Sequence, residues 1–287
     1  MLNIDLHCHS NVSDGMLSPA EVVARAAANG VDALAVTDHD DVAGLDAARA
    51  AADTAGVALI PGVEISVSWG GQTVHIVGLR IDPAHPGLAA GLAGIRVGRI
   101  ERARRMGDDL ARSGIAGAYE GAYDFAVNKQ MVGRTHFARW LVAQGHASDM
   151  RSAFRRFLTR GNPGYVEHQW TTLENAVSWI RASGGMAVIA HPGRYAFNAR
   201  ELHLLLDDFR TLGGEGIEVI TGSHHPSEYG KFADLARAFG LKASRGADFH
   251  APGEGIDIGR LPALPHYCQP VWLGWPELAP HSLLSVA

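Results

Sequence analysis

Cysteine is scarce in this sequence. Cys8 and Cys268 are the two in 287 residues, which excludes a disulfide framework and fits a reducing, cytoplasmic setting. Positive charge is not in excess either: the formal net charge of −5 argues against a nucleic-acid coat. No uncharged apolar run reaches the length of a membrane span, and the N-terminus lacks the basic region and apolar core of a signal peptide. Internal repeats are absent, and so is low complexity outside a few Ala-rich stretches. A cytoplasmic protein with no membrane association and no obligate protein partner is expected.

Apolar residues make up 47% and charged residues 19%, a composition that supports a packed core over most of the chain. Short apolar runs alternate with helical stretches. Residues 2–9, 31–37, 57–60, 64–68 and 72–79 read as strands, and those at 185–190, 216–220 and 241–247 continue the series. Ser18-Pro19-Ala20-Glu21 is a helix start, with a Ser cap, Pro in the first turn and Glu three residues after the cap. Helices are further expected over 40–55, 173–183, 202–212 and 227–239. The alternation predicts parallel βα units.

The rhythm breaks after residue 98. Residues 99–160 are helical in pattern and carry twelve Lys or Arg against six Asp or Glu; this +6 leaves −11 for the remainder. A basic helical insert in an acidic host is a compositional boundary. The chain is therefore divided into a first barrel part (1–98), an inserted helical cap domain (99–164) and a second barrel part (165–287).

Six imidazoles and three carboxylates end or closely follow the apolar runs: His7, His9, Asp14, His39, Glu64, His75, His191, Asp248 and His250. A parallel barrel presents its working residues there, and mixed nitrogen and oxygen donors suit Mn, Fe or Zn. His7 and His9 are two apart on a strand and so share a face, while Cys8 points away as a small buried residue. Asp248 and His250 repeat that spacing. Glu64 is a charge in an apolar stretch and needs a partner. Asp14 could be a plain turn residue, Asp38 and Asp40 turn or cap residues, and His75 a satisfied core histidine; their case rests on company. His85, His136, His146, His203, His266 and His281 are expected to be surface or local structural residues, and His168, His224 and His225 stay open.

The order H-x-H, S-D-G, T-D-H-D, G-V-E, a strand His, A-H-P-G and a late D-F-H resembles the PHP (polymerase and histidinol phosphatase) family over nearly the whole chain. The resemblance implies a distorted (β/α)7 TIM-like barrel with up to three divalent metals, most naturally Mn, at the strand ends. One ion would be held by His7, His9, Glu64 and Asp248, a second by Glu64, His75 and His191, and a third by Asp14, His39 and His250. His7, His9, Glu64, His191, Asp248 and His250 would then act through a metal-bound hydroxide on a phosphoester. The stretch 190–195, the run 137–142 and the helical insert are most similar to bacterial 3′,5′-nucleoside bisphosphate phosphatases, a branch that includes 5′-to-3′ exonucleases on short oligoribonucleotides. The expected partner is a small anionic nucleotide or short RNA. Lys129, Arg134 and Arg194 are candidate contacts for a second phosphate, with Ser223 and His225 on the same rim. The insert is expected to close over the barrel mouth. Rival readings are another PHP phosphoesterase, acting on histidinol phosphate, a cyclic nucleotide or a DNA end, and a non-catalytic, metal-stabilised binding domain.

Overall fold

A computed structural model describes residues 2–278; His281 and the rest of 279–287 lie outside the described residues. The first half of the barrel runs β1 (Ile4–Asp5), α1 (Pro19–Ala28), β2 (Ala33–Val36), α2 (Leu45–Ala55), β3 (Ala58–Trp69) and β4 (Gln72–Leu79). Four helices of the insert region follow: α3 (Pro86–Arg112), α4 (Ala118–Phe125), α5 (Arg134–Ala143) and α6 (Met150–Ala153). The second half is α7 (Leu173–Ala182), β5 (Met186–Ile189), α8 (Ala199–Thr211), β6 (Gly216–Thr221), α9 (Tyr229–Ala238) and β7 (Lys242–Gly246). The seven strands are neighbours in chain order. Bonds from Leu6 N to Arg245 O (3.0 Å) and from Asp248 N to His7 O (2.8 Å) join the two edges into a nearly closed barrel.

Three local expectations are corrected. β4 is antiparallel to both β3 and β5, in place of the parallel units expected. The cause is a two-residue turn at Gly70 and Gly71, both at positive φ (56° and 72°), which suits a tight hairpin. The strands read at 57–60 and 64–68 are one, β3. Pro61 falls where β3 stops pairing with β2 and starts pairing with β4. The helix expected from residue 40 begins at Leu45, because Asp40 has a φ of 45° and cannot lie in a right-handed helix.

Side-chain alternation divides the apolar residues into two sets. Leu34, Val36, Val63 and Ile65 pack with the outer helices, whereas Ala33, Ala35, Ile60 and Val188 fill the barrel interior together with Trp275 and Leu278 from the tail. The second half of α3 and the helices α4 to α6 have a core of their own, built on Met106, Leu110, Phe137, Leu141 and Leu158. The backbone has no break at residue 98. Within α3, Leu88, Leu92 and Ile95 belong to the barrel core and Ala103, Met106 and Leu110 to the second core. Among the described residues, no helix is long and apolar enough to cross a membrane.

Candidate metal centre

His7 and His9 leave β1 where Cys8 bridges to Phe249, beside the end of β7. The approach is close: a Cβ on Gly246 would lie 2.2 Å from the His7 Cβ. Cys8 is buried on the other side, its thiol donating to Ala35 O. The loop after β1 is shaped by Asp38, which accepts from Ser10 N (2.8 Å), Ser10 Oγ (2.6 Å) and Ser13 Oγ (2.6 Å), and so presents Asp14 to the rim. Glu64 enters from β3 and His75 from β4. An antiparallel strand offers its first half to this rim, which is why His75 precedes the end of its strand. His191 and Asp248 leave β5 and β7 at φ of 27° and 54°. Such strain persists where the surroundings over-determine it, commonly at functional sites.

All nine donors converge. His7 Nε2, His9 Nε2, Glu64 Oε2 and Asp248 Oδ1 stand 3.2 to 3.6 Å apart wherever a pair is in contact. Ligands at about 2.0–2.2 Å from a tetrahedral ion are separated by roughly 3.3–3.6 Å, so these four atoms frame an ion-sized space. Glu64 Oε1 lies 2.9 Å from both His75 Nδ1 and His191 Nε2, which are 3.3 Å from each other. Asp14 Oδ1 is 3.3 Å from His250 Nε2 and 3.9 Å from His39 Nε2. His9 is near enough to join this last group, and His39 to join Glu64 and His75. Asp14 Oδ1, His39 Nδ1 and Glu64 Oε2 are buried in the cluster without a well-directed hydrogen bond, although His39 Nδ1 and Glu64 Oε2 approach to 2.8 Å. Buried polar atoms without partners are costly, and a bound cation would satisfy those that face the cluster. The residues therefore fit divalent metal.

Electrostatics agree. Burial opposes charge on the carboxylates, yet neighbouring imidazoles prevail. Glu64 (beside His39, His75 and His7), Asp14 (beside His250 and His39) and Asp248 (beside His7 and His9) are all held well below the usual carboxylate range. Burial, with Arg194 near one and His250 and His39 near the other, takes His191 and His9 down to about 3. His250 goes the other way, to about 9, because Asp14 outweighs its burial. Anionic carboxylates and neutral imidazoles are the metal-binding forms, so the carboxylates, His9 and His191 are ready for a cation, whereas His250, His7 and His39, which the carboxylates hold above the usual imidazole range, would give up a proton to it.

Glu218 on β6 touches the candidate centre from behind, and the sequence pattern did not single it out. It is buried, its Oε1 lies 2.8 Å from His7 Nδ1, and its Oε2 accepts from His191 N at 2.6 Å. A carboxylate behind a ligating histidine fixes which ring nitrogen faces the metal. The signal was present, since Glu218 is a charge inside an apolar strand, the same sign that marked Glu64. Asp40 proves to be a buried anchor rather than a free turn residue: it accepts from Ser66 N at 2.7 Å and from the Arg99 guanidinium.

The candidate substrate contacts separate. Arg134 and Arg194 line a cavity together with Arg99, Arg102 and the metal donors Asp14, His39, His75 and His250. Arg194 also donates to Asp248 Oδ2 at 3.1 Å. Ser223 sits behind the centre, its hydroxyl 2.6 Å from the same Asp248 oxygen. Lys129 is turned elsewhere, bonded to Tyr123 O and lying over the Tyr123 ring. His225 is exposed and caps the turn at Pro226, bonding Ser227 Oγ at 2.7 Å. His224 is buried and accepts from Gly193 N. His85 and His136 cap the starts of α3 and α5.

The family model described as PHP domain matches residues 5–207. The chain is 56% identical to a 3′,5′-nucleoside bisphosphate phosphatase from Chromobacterium violaceum, over 95% of this chain and 96% of the relative. It is 44% identical to a 5′-3′ exoribonuclease from Escherichia coli, over 95% and 94% of the two chains. A solved structure from Bifidobacterium adolescentis, provisionally described as a metal-dependent phosphoesterase, superposes with a TM-score of 0.79 at 26% identity, covering 88% of this chain and 92% of that one.

Proposed function

The chain belongs to the PHP domain family and is a metal-dependent phosphoesterase; from that premise we propose that it removes the 3′-phosphate of nucleoside 3′,5′-bisphosphates, giving a 5′-mononucleotide and phosphate. The carrying observation is the composition of one cavity. Its floor is metal donors, and its walls hold Arg99, Arg102, Arg134 and Arg194. Arg102, Arg134 and Arg194 around one cavity, with Arg99 paired to Asp40 behind them, suit a substrate with two phosphates better than a simple monoester.

Divalent metals, up to three and most naturally Mn, would be held by the nine donors and supply Lewis acidity and a water of lowered pKa. The chain's own groups do the rest. Glu218 and Ser223 orient His7 and Asp248 from behind. Arg194 is placed to meet the reacting phosphate. Arg134, at the start of α5, is placed to fork onto the distant 5′-phosphate, and binding energy from that group can position the reacting one.

Phosphate release from adenosine 3′,5′-bisphosphate with Mn²⁺, abolished by chelator, tests the reading against a non-catalytic metal-stabilised domain. The expected product is 5′-AMP; 3′-AMP in the phosphorus NMR spectrum would reverse the orientation. Arg134→Ala should lower kcat/KM for the bisphosphate by about ten- to a hundredfold, the worth of a charge-assisted contact, and far less for 3′-AMP, which lacks the clamped group.

A further inference from the structure

His39 stands just past the end of β2, on a loop that meets β3 through one isolated bridge, at Glu64. The next residue, Asp40, has a φ of 45°. Glycine adopts that left-handed conformation freely, and aspartate only at a cost. It persists where the surroundings over-determine it. Here the surroundings act through the Asp40 carboxylate, which a glycine would lack and which is completely buried.

Two arginines one turn apart on α3 grip this loop. Arg99 donates through Nε to Asp40 Oδ2 at 2.7 Å, and through Nη2 both to that oxygen and to Ser66 Oγ at 2.9 Å. The Trp170 ring covers the guanidinium, 4.8 Å from its centroid to Arg99 Cζ. Arg96 donates through Nη1 to Asp40 O at 2.8 Å and lies 3.8 Å from the Asp41 carboxylate. Asn128 donates to Asp41 Oδ2 at 2.9 Å. On the other side of His39, Asp38 is bonded to Ser10 and Ser13 of the β1 loop. The imidazole is thus held between two buried anchors, one tied to the loop of Asp14 and one tied to α3.

We propose that Arg99, with Arg96, is a positioning residue: it fixes the loop so that His39 meets Asp14 and His250 around a cation. The proposal rests on the reading of those three residues as donors to a divalent ion. Arg99 lines the cavity, but its Nε and Nη2 are already engaged by the protein. Its Nη1 lies beside Gly133, 3.8 Å from the place a Cβ would take there. Asp14 is likewise bonded from α5, by Thr135. Two of the three donors are therefore set by helices outside the barrel strands. His7, His9, Glu64 and Asp248 instead stand on or just past β1, β3 and β7, so their group is set by the barrel itself.

Position and charge act in opposite directions here, which makes the role measurable. A guanidinium near a cation site repels the cation, and pairing with Asp40 offsets that repulsion. If charge alone mattered, removing Arg99 would leave a bare carboxylate beside the site and tighten metal binding. If Arg99 positions the loop, its removal weakens binding.

The test is a Mn²⁺ titration of the chelator-stripped full chain, with the free ion read by its EPR signal. His39→Ala marks the ion concerned, as the one whose Kd it raises most. Arg99→Lys keeps the charge and loses the planar fork; Arg99→Met loses both. Each should raise the Kd of that same ion about tenfold, the effect of removing a partner behind a ligand, and leave any other ion within about twofold. Arg96→Ala, at the partly exposed end of the grip, should raise the same Kd about threefold, the worth of one hydrogen bond, and decides the matter where the Arg99 variants do not fold. A role in folding alone would lower the melting temperature of the stripped protein and leave every Kd unchanged. That result, tighter binding in Arg99→Met, or equal weakening of all ions would overturn the proposal. If His39→Ala itself altered no Kd, the donor assignment would fall first, and the proposal with it.

Discussion

At the scale of single residues, two side chains that touch no substrate have measurable roles. Glu218 holds the back of His7 and the backbone of His191, so it orients donors from two strands at once. Glu218→Gln keeps the shape and loses the charge. Metal affinity, read by competition with a chromogenic chelator, should fall about ten- to a hundredfold, the usual effect of removing a carboxylate behind a ligating histidine. Thr135 is the second. Its hydroxyl donates to Asp14 Oδ2 at 2.7 Å, while Asp14 Oδ1 faces His250. A residue of the helical insert thus fixes a donor on the β1 loop, one position from Arg134. In Thr135→Val the purified protein should retain less metal per chain by elemental analysis, with the folded structure unchanged by circular dichroism. Thr135→Ser should restore the content; if valine kept the full complement, Asp14 would be held by its own loop alone.

Among the elements, the seam between β1 and β7 is a tight contact beside the centre. In Gly246→Ala the new Cβ would meet the His7 Cβ at 2.2 Å and the His7 N at 2.6 Å. Overpacking of that kind costs about 1–3 kcal/mol, so the melting temperature should drop by several degrees and bound metal should decline with it. Gly94→Ala on α3, where nothing lies within 4 Å, is the comparison and should be neutral or mildly stabilising. These elements also mark how far the sequence could be read. The donors were legible because an imidazole or carboxylate at the end of an apolar run is costly to bury unless a partner of opposite character meets it there. The direction of β4 was not, since hydrophobic alternation is the same in either direction; only the Gly70-Gly71 pair carried it, and a paired glycine marks many loops. Charge was legible and aim was not. Arg134 and Lys129 look alike in a basic insert, yet Arg134 opens α5 beside the centre while Lys129 folds back onto Tyr123. Glu218 lay behind the site rather than in it, and no spacing to another donor announced it.

For the whole molecule, the donors come from β1, β3, β4, β5 and β7 and from the loops after β1 and β2, so a bound ion ties together segments far apart in sequence. A ligand that binds only the folded chain stabilises it in proportion to the logarithm of its excess over Kd, about 2.7 kcal/mol at a hundredfold excess. Chelator-treated protein should therefore melt several degrees lower, and added Mn²⁺ should restore the difference. Glu64→Ala, which removes the carboxylate in contact with His7, His9, His39, His75 and His191, should narrow that gap and abolish turnover; an unchanged gap would place the stabilising ion elsewhere. α3 has 27 residues, about 40 Å of helix, with its first half set in the barrel core and its second half in the core of the insert. It is a beam cast into two foundations. A hinge at the junction would have to bend that beam and strip apolar contacts from both ends, so the spacing between the arginines and the metal donors behaves as a fixed gauge. On the proposed function, the enzyme would then select molecules by a length built into its frame, and a substrate whose phosphates are spaced too short or too long should be turned over poorly.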